Sequence, residues 1–185
     1  MILYKDFAKY FENLCVQNTE IDHDPTNNIK GFFKINLEEV LVGSRRNIEA
    51  DGIHVVLANY LWTPEDENTD PLKKVQFMFF VLGTTKDGDY ELDTEVLDKT
   101  EKITQDFINR ISFDSKTAVA DQSSVFYRSQ DKIKVDSVIP LKFSPGLNSF
   151  GWQVVMTFYS SYSICVDHTK WDDLADADAA DPNNY

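Results

Sequence analysis

The chain has 185 residues, 42% of them apolar and 13% aromatic, with 31 acidic against 18 basic side chains and a net charge of −13. That much apolar matter excludes a disordered chain and suits one domain with a sizeable core. The acidic balance excludes gripping nucleic acid through its phosphates, which requires a basic surface; it keeps a protein soluble, and it also suits a wall along which DNA slides without sticking.

Leu3, Phe7, Tyr10, Phe11 and Leu14 recur at helical spacing and predict an amphipathic helix over Ile2 to Val16, with Lys5, Lys9, Glu12 and Asn13 on its polar face. Asn18 to Lys30 reads as a loop with turn chemistry at Asp24-Pro25 and Asn27-Asn28. A short strand over Phe32 to Ile35 follows, then a short helix begun near Asn36, with Glu39 three residues on, and ended by Gly43. Ser44 to Asp51 is polar and contains Arg45-Arg46.

Ile53 to Trp62 and Lys74 to Thr84 are rich in β-branched and aromatic residues and read as an antiparallel pair. The acidic stretch Thr63 to Pro71 is expected to join them as an extended loop. Both strands are apolar on both faces, which places them near the sheet centre or in an interface. The densest apolar run, Val75 to Leu82, is a buried strand, since a membrane-spanning helix needs roughly 20 apolar residues. After a turn at Lys86-Asp87-Gly88-Asp89, a helix is predicted over Thr94 to Ser112. Asp93 is its expected N-cap, and Val96, Ile103, Phe107 and Ile111 form its apolar stripe.

Asp114 to Gln130 is mostly polar, with an apolar island at Val125-Phe126-Tyr127. Two alternating strands end the domain. In the first, Ile133, Val135, Ile139, Leu141 and Phe143 are expected to share one face, and Pro140 marks an edge or bulge. In the second, Trp152, Val154, Met156, Phe158, Tyr162, Ile164 and Val166 face one way. The predicted class is α+β: a mainly antiparallel sheet with two amphipathic helices packed on one face, extended loops and an acidic C-terminal arm. Residues 1–166 form the domain and 167–185 the arm, where Trp171, Leu174 and Tyr185 are the sizeable apolar anchors among many aspartates.

Residues with chemical potential are few. Cys165 and His168 have the spacing of a nucleophile and base, but no third residue orients them, so a small buried thiol beside a surface histidine is the simpler reading. Asp22-His23-Asp24 lacks the further ligands of a zinc site, and the run Glu65-Asp66-Glu67 with Asp70 lacks the spacing of an EF-hand calcium loop; acidic loops can collect calcium, but the simpler reading of both is a solvated turn or loop. His54, among apolar neighbours, reads as a satisfied core or interface histidine. No phosphate-cradling glycine loop or nucleophile elbow is present. The expectation is a protein that binds and assembles, without catalytic residues, cofactor or metal. The N-terminus shows no basic region followed by an apolar stretch, and Cys15 and Cys165 form no disulfide ladder; both features point to the cytoplasm.

The order of features resembles the small neck and tail proteins of tailed bacteriophages, especially phages of Bacteroidota including crAss-like phages. The resemblance rests on the N-terminal helix, the extended pair Gly52 to Trp62 and Lys74 to Gly83, the acidic helix Leu92 to Ile111, and Phe150-Gly151-Trp152 opening a final strand. It spans most of Met1 to Val166 and leaves out the acidic arm. It implies a tail-terminator-like ring subunit between head connector and tail, assembled in the host cytoplasm. Its partners would be copies of itself and neighbouring virion proteins, with no membrane and no sequence-specific nucleic-acid contact. Read without the resemblance, the chain is an intracellular binding or regulatory module lacking catalytic activity. Under the assembly reading the candidate contacts are Trp62, Glu65 and Asp66 near the acidic loop, and Trp171, Leu174 and Tyr185 in the arm.

Overall fold

Helical periodicity sets the first element. A computed structural model of the chain describes residues 4–21, 23–34, 52–67, 70–84, 89–118, 124–126, 133–143 and 149–161. Within them α1 spans Tyr4–Gln17 and buries Phe7, Ala8, Phe11, Leu14 and Cys15 along one side. The following turn is built as its residue types require. Asp24 bridges to Ile29, its carboxylate accepts the backbone N–H groups of Thr26 and Asn27, and Asn28 takes the left-handed φ of 59° that asparagine tolerates. The predicted short helix from Asn36 to Gly43 lies outside the described residues.

The described strands are β1 (Phe32–Lys34), β2 (Ile53–Glu67), β3 (Asp70–Thr84), β4 (Lys134–Phe143) and β5 (Ser149–Ser161). They form a sheet in the order β1-β2-β3-β5-β4, with β1 parallel to β2 and every other neighbour antiparallel. The strand apolar on both faces, β3, is central. Along it Val75, Phe77, Phe79 and Val81 alternate and enter one core cluster with Phe7, Phe11 and Leu14 of α1. Ile103, Phe107 and Ile111 join the same cluster from a second helix, α2 (Tyr90–Thr117), so the helices pack against one face of the sheet, giving the predicted α+β architecture. Phe11 is the hinge of this packing, with ring centroids 5.2 Å from Phe79 and 6.5 Å from Phe107. Each fully buried side chain of this size contributes roughly 1.5–3 kcal/mol. On the opposite face Val56, Ala58, Phe80 and Leu82 form a second, smaller buried cluster.

Three expectations are corrected. Thr63 to Glu67 and Asp70 to Pro71 are strand, not loop: β2 and β3 stay paired from Ile53↔Gly83 through Thr63↔Lys74 to Glu67↔Asp70. The residues are poor strand formers, but β3 is held on its other side by β5 as far as Leu72↔Ser161, and the register is already set, so the added ladder bonds offset the ordering of each residue without a further closure cost. Second, α2 begins earlier than Thr94. Asp89, not Asp93, is the N-cap and accepts the Leu92 N–H at 3.0 Å, while Asp93 turns inward and is buried. The helix also runs past Ser112, where Arg110 and Asp114 pair one turn apart at 2.9 Å. Third, β4 does not keep its five apolar residues on one side. A bulge between Val135 and Ser137 reverses the alternation, so Val135 lies opposite core-facing Met156, whereas Ile139 lies opposite Gln153. The bulged residue, Asp136, accepts the Thr157 hydroxyl at 2.5 Å.

In β5 the alternation holds over the described residues: Val154, Met156 and Phe158 are buried, and Trp152 on the same side donates its indole N–H to the Leu97 carbonyl at 3.1 Å. Tyr162 to Val166, the 166/167 boundary and the arm lie outside the described residues.

Candidate assembly surface

The hairpin carries the sequence-predicted contacts that fall within the described residues. Trp62, Glu65 and Asp66 sit on one strand, β2, with register partners Val75, Leu72 and Pro71. Trp62 is 53% exposed and its neighbour Leu61 57%. Trp171, Leu174 and Tyr185 lie outside the described residues, so the structure does not bring the two groups of candidates together.

The base of the hairpin is stiffened by a ladder of rings around one cation. Lys73, opposite Pro64, is 6% exposed, and its ammonium lies 5.0 Å from the Trp62 ring centroid and 5.6 Å from that of Tyr60. Burial lowers its pKa from the ordinary lysine value. Tyr60 in turn packs edge-on to Tyr4 at 5.8 Å and against Phe7 at 5.3 Å. The exposed Trp62 is thereby tied through Lys73 and Tyr60 to α1 and the core. Sequence reasoning missed Lys73 and Leu61. The readable signal was strand alternation, which places Tyr60, Trp62 and Lys73 on one face once the register is known.

A second feature absent from the sequence reading is a polar cleft of about 660 Å³ between α1 and the C-terminal end of α2, bordered by Lys9, Tyr10 and Asn13 on one side and Arg110, Asp114 and Thr117 on the other. Its centre is a closed network. The Tyr10 hydroxyl donates to Asp114 Oδ2 at 2.9 Å, and Arg110 Nε reaches both carboxylate oxygens at 2.9 Å. Burial and the Asp114 charge push the Tyr10 phenol well above its ordinary pKa, so it stays a donor. These contacts lock the two helices together.

The remaining chemical candidates resolve as structure. His23 is buried, and its Nδ1 accepts the Gly31 N–H at 3.1 Å; Asp24 is occupied by its own turn, its pKa lowered chiefly by hydrogen bonds from Asn27. Asp22, Cys165 and His168 lie outside the described residues. Among the described residues no three His, Cys, Asp or Glu side chains converge as metal ligands. His54 is buried as expected, edge-on to Phe33, but it is not satisfied: neither ring nitrogen has a hydrogen-bond partner of normal geometry. Burial lowers its pKa to about 4, against a smaller opposing effect of the Gly52 backbone, so it is held neutral. Cys15 is fully buried, and desolvation, reinforced by Glu12, raises its thiol pKa far above the ordinary value.

No protein-family model matches the chain, and no curated protein matches it in sequence. Among the described residues no helix is long and apolar enough to cross a membrane.

Proposed function

We propose that the chain is a structural subunit of a tailed-phage virion, a tail-terminator-like protein that forms a ring in the neck or tail. There it joins the head connector to the tail and lines the DNA passage. The observation that carries this reading is the stiff-based hairpin displaying Trp62 and Leu61 beside an acidic tip. A large exposed aromatic on a rigid strand is the kind of anchor that dominates protein contacts. The net charge of −13 suits a passage that DNA must cross without being held. In this reading the arm, residues 167–185, docks on a basic surface of a neighbouring subunit through Trp171, Leu174 and Tyr185.

Electron microscopy of the purified chain and of its parent particle is the decisive experiment. Rings, with matching density at the neck or tail of the particle, are expected. A monomer in isolation combined with absence from the particle sinks the proposal. Truncation after Asp167 addresses the arm: assembly should be lost while the thermal melt is kept.

A further inference from the structure

We draw no further inference here: the strongest candidate, the polar cleft between α1 and the C-terminal end of α2, carries nothing, because its lining cations Lys9 and Arg110 are matched by the carboxylates of Asp6 and Asp114, its centre is already closed by the Tyr10, Asp114 and Arg110 contacts, and nothing in the structure shows what would occupy it.

Discussion

The Lys142 ammonium stands 2.5 Å from Asp93 Oδ2, joining the edge strand β4 to the first turn of α2 across 49 residues of chain. The pair is unequal: the Asp93 side chain is 10% exposed and that of Lys142 37%, and Asp93 Oδ1 has no hydrogen-bond partner. Lys142→Met therefore leaves a buried carboxylate without its cation, and the expected loss is about 3 kcal/mol. Asp93→Asn keeps a polar group of the same shape and should cost about half as much. Urea unfolding of both variants checks the order; equal losses would show that the ion pair is not what holds α2 to β4.

Gly151 lies between Leu82 and Leu141 in the sheet, and a Cβ there would stand 2.0 Å from the Val81 carbonyl oxygen. The neighbour is backbone, so it cannot swing away. Gly151→Ala should destabilise the fold by about 3 kcal/mol through local overpacking, read as a lowered denaturation midpoint. Gly52→Ala, where nothing stands within 4 Å but φ is +98°, should act through backbone strain instead.

His54 couples stability to pH. Its folded pKa, about 4, lies below its ordinary 6.5, so the unfolded chain binds its proton first on acidification. Its contribution is fully present above pH 6.5 and is lost as pH falls toward 4, with a slope approaching roughly 1.4 kcal/mol per pH unit. His54→Leu should remove this part of the pH dependence and leave stability at pH 7.5 nearly unchanged or higher, since it replaces a buried ring whose nitrogens lack partners. Denaturation midpoints of the two proteins across that window decide it; parallel curves would mean His54 is not the titrating group.

Cys15 lies on the buried face of α1, and burial strongly raises its thiol pKa. It should resist a maleimide in native buffer for as long as the fold holds, and react at once in denaturant. Peptide mapping distinguishes it from Cys165. Rapid native labelling of Cys15 would place the opening of α1 among the low-energy motions of the protein.

Much of this architecture was legible in side-chain spacing. Phe7, Phe11 and Leu14, and Ile103, Phe107 and Ile111, mark the buried faces of α1 and α2, because a helix repeats every 3.6 residues whatever it packs against. Val154, Met156 and Phe158 likewise mark the inner side of β5. The acidic residues of the candidate surface were legible, but not their conformation. Thr63 to Glu67 has loop composition and becomes strand because β3, fixed by β5, offers it a ladder. The faces of β4 were decided by a bulge that Asp136 makes with Thr157, and the helix start by a choice between Asp89 and Asp93 that Lys142 settles from a distant strand. The cation between Trp62 and Tyr60 depends on the same register. Local periodicity is written in the chain itself; register, bulges and the pairing of distant charges are set only when separate segments compete for the same hydrogen bonds, and tertiary structure alone decides that competition.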